Sequence, residues 1–327
     1  MRAVNSLLAT SCLAWIALLQ PAAAQEWPKN PVRIVVPYPA GAGAADTLAR
    51  KLGERLAQKW KQPVVIDNKP GAVEILAATA VAQARPDGYT LLLSTDAALE
   101  TNQFLYAKLP YDPVKDLTPV THLVDSPFVY VVNSESPHRT MHQLVAAARQ
   151  QPGRVSYGSN GLGGNIHITV NWLARLAGVE FLHVPYKGSV AILQDLVAGR
   201  VDFTPLPLAP MAGFIKDNRV RVLATSGSSR LSVLPAVPTL EELGYKDTAV
   251  KIMFALSGPA NLPADIADRI ARDAAQVLKD PDFVSSNLDP FGLVPVGSSP
   301  QEFARFLATD REKQKIRVKA ANVKLDY

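Results

Sequence analysis

Cysteine is almost missing from this chain of 327 residues. The single one, Cys12, lies among the first 24 residues, so the rest of the chain has neither a disulfide nor a thiol nucleophile. The sequence also lacks the Gly-x-Ser-x-Gly element of many hydrolases and the Gly-Lys-Ser/Thr element that binds nucleotide phosphates. These absences exclude thiol enzymes and zinc-cysteine modules, and they argue against an exported hydrolase.

Long apolar runs are scarce, and the one that stands out lies at the N-terminus. Leu7 to Leu19 is too short for a comfortable membrane span, which needs about 18 apolar residues or more. Arg2 precedes this run and Ala22-Ala23-Ala24 follows it, which is the pattern of a secretory signal peptide. We therefore expect residues 1–24 to be cleaved and the protein to act in the periplasm, with an uncleaved anchor as the alternative.

Charge is modest and dispersed. Charged residues make up 19% of the chain, and the formal net charge is +5. The densest basic run, Arg311 to Lys319, is interrupted by Glu312 and Gln314, as on a solvated helix face. We therefore expect no nucleic acid partner, although a small positive potential favours acidic solutes.

The first organised segment reads as strand, glycine loop and helix. The apolar run Val32 to Val36 breaks into the loop Pro37 to Asp46, and a helical stripe then continues to Trp60. In an open α/β sheet such a loop lies at the carboxyl end of its strand. The N–H groups and positive dipole end of the following helix then face any ligand bound there.

The alternation continues along the chain. Pro63 to Asp67 and Tyr89 to Leu93 have strand composition, and a helix is expected from about Val73 to Ala84. This βαβαβ order predicts a parallel sheet with right-handed crossovers. Its carboxyl-end loops begin at Pro37, Asn68 and Ser94. Residues 109–121 are rich in proline and aspartate and are expected to form an irregular connection.

The opening pattern then recurs without any sequence repeat. A strand near Arg154 to Tyr157 precedes the glycine loop Gly158 to Asn165, and the next helix is expected to end at Gly178. Two separate α/β domains therefore fit better than one sheet. Helices at 263–279 and 300–320 are expected to return to the first domain.

Two glycine loops before two helices suggest a cleft that closes on a small anion. The sequence argues against a dinucleotide site, because Asp46 stands where the fingerprint needs a third glycine. His138 and His142 have the spacing of a helical zinc pair, but Arg139 replaces the catalytic glutamate, which favours a surface pair. We therefore expect no metal, no cofactor and no catalysis.

Several short strings then point to a family. They are Val36–Pro39 with Gly41, Gly43 and Asp46, Asn68–Ala72, Pro86–Leu92, Leu109–Asp116, His183–Gly188 and Pro235–Thr239. In this order they resemble the Bug family, the TctC-like extracytoplasmic solute receptors of tripartite tricarboxylate transporters. The resemblance runs over nearly all of the chain after residue 24.

The resemblance implies an α/β fold, a two-domain periplasmic-binding-protein clamshell of type II in which each domain is a mainly parallel sheet flanked by helices. Domain 1 would comprise residues 25–124 and 252–327, and domain 2 residues 125–251, with the ligand cleft between them. The implied function is capture of a small organic carboxylate, aromatic and dicarboxylic acids included, and its delivery to membrane permease subunits. A monomer is expected. A receptor that presents the same ligand to a two-component histidine kinase is the alternative.

The resemblance also carries over candidate ligand contacts by position. They are Tyr38, Ala40, Gly43 and Asp46 in the first domain, and Ser159, Gly161, Gly163 and Asn165 in the second. Ser94 is added as the start of a carboxyl-end loop, and Tyr186 as part of a family string. Asp46 also has a compatible explanation as a helix cap. His167 is either a ligand contact or a packed histidine, and Lys187 either lines the cleft or is a surface charge.

Departures from the family pattern concern mostly the first domain. Ala42, Ala44 and Ala45 stand where two glycines and a threonine are usual, and Gly164 stands where a serine is common. Val73-Glu74-Ile75 replaces Gly-Gly-Asn, which predicts an ordinary helix start there. Fewer polar groups on this side suggest a ligand with more apolar surface than citrate, and they suggest that specificity comes mostly from the second domain.

Overall fold

The computed structural model describes residues 27–41 and 43–323. The expected signal peptide, residues 1–24, therefore lies outside the described residues, as does Ala42. None of the helices in the described ranges combines the length and the apolar character needed to cross a membrane.

Ten strands form one connected sheet within the described residues. They are β1 Val32–Val36, β2 Val64–Asn68, β3 Thr90–Ser94, β4 Leu117–Asn133, β5 Ser156–Ser159, β6 Leu182–Pro185, β7 Phe203–Pro207, β8 Val220–Thr225, β9 Lys251–Pro259 and β10 Val294–Pro295. The α-helices are α1 Gly43–Trp60, α2 Ile75–Ala82, α3 Asn102–Leu105, α4 Met141–Gln150, α5 Asn165–Ala177, α6 Ser189–Val197, α7 Ala212–Lys216, α8 Ala264–Leu278, α9 Pro281–Phe283 and α10 Pro300–Ala321. Short 3-10 turns cover Ala72–Glu74, Ala209–Met211 and Asp289–Phe291, and π-turns cover Ala97–Thr101 and Val284–Leu288.

The long strand β4 joins two α/β units. Its first part pairs antiparallel with β9 and β10, and β9 continues the sheet to the parallel strands β3, β1 and β2. From Phe128 onward β4 pairs instead with β7 and β8, and β7 leads to the parallel strands β5 and β6. We call these the first unit and the second unit. The change of partner occurs at Phe128, and β9 begins at Lys251. The domain boundaries at 125 and 252 stay a prediction.

Buried apolar residues separate along the same line. One cluster contains residues between Phe128 and Val250 and fills the second unit. Two others pack on opposite faces of the first sheet, and one of them receives the α1 stripe of Leu48, Leu52 and Leu56. Each of these leucines is fully buried, which contributes roughly 1.5 to 3 kcal/mol of hydrophobic free energy. The fold class expected from the sequence is confirmed.

Three local expectations differ from the structure. Strand β4 begins at Leu117, so the stretch expected to be irregular as far as residue 121 is strand in its last part. The C-terminal helix α10 packs against α5 of the second unit as well as against the first unit. The expected ordinary helix start at Val73 is wrong, because Ala72, Val73 and Glu74 have φ values of 45°, 48° and 73° and the α-helix begins only at Ile75.

Candidate ligand-binding cleft

A cleft of about 560 Å³ opens between the two units, at the carboxyl ends of their parallel strands. The first unit contributes Pro37, Tyr38, Pro39, Pro70, Gly71, Ala72, Val73, Glu74, Thr95, Ala97, Thr101, Asn102, Leu105 and Ile252. The second unit contributes Phe128, Asn160, Gly163, Gly164, Asn165, Ile166, Ser189, Pro207 and Pro210. Glu74 is the single charged residue among these lining residues, which include neither lysine nor arginine. An anionic ligand would therefore depend on neutral donors.

The second-unit wall offers such donors at the start of α5. The first N–H groups of an α-helix have no acceptor within the helix. Gly164, at the N-cap, supplies no side-chain acceptor either, and it lies on the cleft wall together with Asn165 and Ile166. The helix therefore presents uncapped N–H groups and its positive dipole end at the cleft.

The loop before α5 is held by two histidines beneath it. The Ser159 hydroxyl lies 2.6 Å from Nε2 of His183 and accepts a hydrogen bond from the Gly161 N–H at 3.1 Å. The Gly163 N–H donates to Nδ1 of His167 at 3.4 Å. Positive φ values of 111° and 76° at Gly161 and Gly163 favour glycine at these positions.

His167 is therefore packed under the loop. It is 6% exposed, and its ring centroid lies 4.4 Å from that of His183. Burial, together with His183, lowers the pKa of His167 to about 4. A neutral imidazole accepts the Gly163 hydrogen bond through Nδ1, so this histidine stabilises the loop without adding a charge to the cleft.

The first-unit loop before α1 is held by the carboxylate of Asp46, which bonds back to the loop backbone. Asp46 is 1% exposed and accepts hydrogen bonds from the Gly41 N–H at 2.8 Å and from the Asn68 amide at 2.8 Å. Nε and Nη2 of Arg50 contact the two oxygens of the same carboxylate at 2.8 and 3.0 Å. Burial by itself would raise the pKa of Asp46, but hydrogen bonds from Arg50, Asn68 and Gly41 outweigh it and lower the pKa.

A second carboxylate, that of Glu74, lies in the first-unit wall. It is 3% exposed, and it accepts hydrogen bonds from the Tyr38 hydroxyl at 2.5 Å, the Thr95 hydroxyl at 2.6 Å and the Thr95 N–H at 3.0 Å. Burial raises the pKa of Glu74, and the hydrogen bonds from Thr95 and Tyr38 offset part of this rise.

The residues expected from the sequence to contact the ligand fall into two groups. Tyr38, Gly163 and Asn165 line the cleft. Ala40, Gly43, Asp46, Ser94, Ser159, Gly161 and Tyr186 lie outside its lining. Within this second group, Asp46, Ser159 and Gly161 hold the two loops in shape.

Ser94 and Tyr186 also have places behind the wall. Ser94 is the fully buried last residue of β3 and precedes Thr95, whose N–H binds Glu74. The Tyr186 hydroxyl donates to Asp195 at 2.8 Å, and burial together with Asp195 raises the pKa of Tyr186 to about 12. Lys187 is exposed.

Sequence reasoning missed most of the apolar wall and one polar group. Phe128, Pro207 and Ile252 come from the strands where the two units join, and no motif marks them. Thr95 follows directly after β3, so the rule that ligands bind beyond carboxyl ends of parallel strands was a usable signal. Glu74 was visible as a departure from a glycine pattern, but nothing in the sequence indicated a left-handed backbone there.

In the described part of the chain, no three histidine, cysteine, aspartate or glutamate residues lie close enough together to hold a metal ion. His142 instead lies beside Tyr245, with the ring centroids 5.8 Å apart. The donors that line the cleft are amides and hydroxyls, which suit an organic anion better than a metal.

Comparison with known proteins gives consistent matches over most of the chain. Residues 48–323 match the family model described as the tripartite tricarboxylate transporter family receptor, TctC. BugT of Bordetella pertussis is 31% identical over 302 residues, covering 92% of each chain. A protein from the tcbD-tcbE intergenic region of Pseudomonas sp. strain P51 is 35% identical over 288 residues, covering 88% of this chain and 85% of that protein.

Solved structures match equally well. The Rhodopseudomonas palustris protein Rpa4515, solved with adipate, is 31% identical, with a TM-score of 0.79 over 92% of this chain and 100% of that one. MatC of the same organism, solved with malate, is 28% identical, with a TM-score of 0.73 over 89% and 100% of the two chains. The periplasmic binding protein BugD is 27% identical, with a TM-score of 0.74 over 92% and 100%.

Proposed function

The chain belongs to the tripartite tricarboxylate transporter receptor family, whose members are periplasmic solute-binding receptors, and we propose that it captures a small organic carboxylate in the cleft between its two units. The observation that carries this proposal is the uncapped N-terminus of α5 at the cleft wall. Helix N-termini bind anions through free N–H groups and the helix dipole. The adipate and malate bound to the two Rhodopseudomonas palustris relatives support the same ligand class.

Backbone donors are sufficient for useful affinity. A hydrogen bond to a charged group contributes roughly 1.5 to 3 kcal/mol, and a micromolar complex requires about 8 kcal/mol net. The first-turn N–H groups of α5, the Asn165 side chain and apolar contact within the cleft together reach this range. No cationic side chain of the lining takes part, so shape and hydrogen-bond geometry rather than net charge would select the ligand.

The wall composition favours a ligand with substantial apolar surface. The apolar residues that line the cleft include five prolines and four larger side chains: Pro37, Pro39, Pro70, Pro207, Pro210, Leu105, Phe128, Ile166 and Ile252. A tricarboxylate such as citrate, with three charged groups on a short carbon chain, would leave most of its polar groups without partners against this surface. Aromatic acids and acids with a longer carbon chain fit it better.

Transport is the proposed use of this binding. The receptor would act in the periplasm as a monomer after cleavage following Ala24, and would deliver its ligand to the membrane permease subunits of a tripartite transporter. Family membership supports this partner. Uptake of the labelled ligand tests delivery. We expect uptake to be lost in cells that lack the receptor gene and to be restored when the gene is returned.

Binding is tested on the purified protein. Native mass spectrometry identifies any retained ligand, and a thermal-shift panel compares short dicarboxylates, longer aliphatic acids, benzoate-type acids, amino acids and citrate. Stabilisation by carboxylates, weakest for citrate, is expected. No shift with any acid, together with no retained ligand, would contradict the proposal, and a preference for citrate would contradict the apolar selectivity.

The second-unit loop is tested with Gly163→Val. A valine at a φ of 76° forces the loop to change conformation and displaces the first-turn N–H groups of α5, so we expect at least about a tenfold loss of carboxylate affinity in calorimetry. Gly178→Val is the matched control, because Gly178 has a φ of 62° at the other end of the same helix, away from the cleft. Equal affinity in both variants would remove this loop from the site.

A further inference from the structure

Glu74 differs from every other residue that lines the cleft because its side chain is a carboxylic acid. It does not project from the surface, since its side chain is nearly fully buried while the neighbouring Val73 is 54% exposed. The left-handed backbone at both residues turns Glu74 inward, and the Asn102 amide fixes this turn by donating to the Val73 carbonyl at 2.8 Å. The inward position is therefore built into the wall.

The Glu74 carboxylate uses the donors of this wall. The Tyr38 hydroxyl, the Thr95 hydroxyl and the Thr95 N–H all lie within 3.0 Å of its oxygens. These are the kinds of donors that would otherwise bind a carboxylate of the ligand. The protein thus places its own carboxylate where the first unit would hold one from outside.

The charge on this side has no counter-ion in the lining. Asp96, next to Thr95, is also buried, so a second carboxyl group lies near Glu74 behind the same wall and adds negative potential when it is ionised. A second carboxylate of a ligand that approached from the cleft would meet a like charge and donors that are already occupied. If Glu74 were protonated, its carboxyl group would offer a ligand one hydrogen-bond donor. The Tyr38 hydroxyl, the Thr95 hydroxyl and the Thr95 N–H would remain occupied by Glu74.

We propose that Glu74 is a specificity-determining residue that restricts the receptor to ligands with one carboxylate, bound at the second unit, and with an apolar or hydrogen-bond-donating group at the first unit. This inference rests on the proposed function and names its ligand class more narrowly. Glu74 excludes a dicarboxylate by providing the second carboxylate itself.

Acids that share one carboxylate end and differ only at the far end test this inference. Hexanoate, 6-aminohexanoate and adipate form one series, and benzoate, 4-aminobenzoate and terephthalate form another. Calorimetry near neutral pH is expected to show that the dicarboxylate of the better-fitting series binds at least roughly tenfold more weakly than its two partners. Equal or tighter binding of the dicarboxylate would overturn the inference and leave the proposed function standing, whereas the absence of binding by all six acids would overturn both.

Glu74→Gln assigns the selectivity to this side chain. The glutamine keeps the shape, removes the charge and adds an amide donor, so we expect the dicarboxylate to gain about tenfold or more relative to the monocarboxylate. Glu54→Gln is the matched control, because it makes the same charge change on the exposed face of α1. Unchanged selectivity in a folded Glu74→Gln protein would contradict the inference. If Glu74→Gln fails to fold, Tyr38→Phe is the second variant, since it removes one donor to Glu74 and keeps the Glu74 charge. If Tyr38→Phe binds the dicarboxylate more tightly than the monocarboxylate, the inference is contradicted.

Discussion

The two units each contain a strand, a glycine loop and a helix in the same order, but they differ at the N-terminal end of that helix. The fourth residue of α1 is Asp46, whose carboxylate turns back to the Gly41 N–H and closes the loop. The fourth residue of α5 is Ile168, and the N-cap Gly164 leaves that helix end open to the cleft. The side chain in the first turn therefore distinguishes the two loops: Asp46 takes up an N–H group of its own loop, whereas the start of α5 keeps its N–H groups free at the cleft.

The same contrast extends to the groups behind each loop. Behind the second loop lie His167 and His183, which make hydrogen bonds to it and whose pKa values are lowered by burial. Behind the first wall lie Glu74 and Asp96, both with raised pKa values. In the proposed function, an anion is therefore accommodated at the second unit and disfavoured at the first.

The largest expected effect on stability comes from removing the Asp46 carboxylate, which distinguishes the first loop from the second. Asp46→Ala deletes the acceptor for the Gly41 N–H and the Asn68 amide, and hydrogen bonds to a charged group contribute about 1.5 to 3 kcal/mol each. We expect the free energy of unfolding, measured in urea, to fall by roughly 3 kcal/mol. Glu54→Ala on the exposed face of the same helix is the control and should change it by less than about 0.5 kcal/mol. A loss no larger than that of the control would show that Asp46 does not hold the loop.

Asp96 offers a test that depends on pH. Burial first, and then proximity to Glu74 and Asp310, raises the pKa of Asp96 from 3.8 to about 7. The folded state therefore binds this proton more tightly than the unfolded state, and the contribution of Asp96 to stability is lost as pH rises from about 4 to about 7. Asp96→Asn removes this loss, so we expect the variant to be more stable than the parent by about 1 to 3 kcal/mol at pH 8.

The advantage of Asp96→Asn should shrink as the pH is lowered towards 4, because the parent side chain is then also neutral. Urea unfolding at several pH values measures this difference. Asp217→Asn, an exposed change in the second unit, gives the background. A constant difference between Asp96→Asn and the parent at all pH values would contradict the raised pKa.

The sequence predicted the frame of the molecule better than its cleft. Strand β1, the loop after it and the α1 stripe follow from apolar periodicity and glycine placement, and the helix end at Gly178 follows from C-cap chemistry. The strands β8 and β9 were not predicted, because their partners are distant in sequence: β4 for both strands, and β3 as well for β9. The cleft walls at Phe128 and Ile252 arise from that pairing and have no local signature.

Glu74 shows why local rules fail at this site. Propensity predicts that Val73, Glu74 and Ile75 continue a helix, because left-handed backbone is rare for residues with a branched side chain. Tertiary contacts overrule this preference: Asn102 binds the Val73 carbonyl, and Tyr38 and Thr95 bind the Glu74 carboxylate. These partners lie on other elements, so no window of sequence around residue 74 contains the information.

The smallest expected effect concerns the residues that have positive φ values in the two walls. The second loop uses glycine at Gly161 and Gly163, whereas the first wall uses Val73 at a φ of 48°, where a left-handed conformation costs about 1 to 2 kcal/mol for an L-residue. Val73→Gly should therefore raise the free energy of unfolding by about 1 kcal/mol, since the side chain is half exposed and little burial is lost. Val65→Gly in β2 is the control, because Val65 is 51% exposed but lies in an extended strand, where glycine should cost about 1 kcal/mol. If both substitutions destabilise the protein equally, the backbone at Val73 is not strained, and the inward turn of Glu74 costs the fold nothing.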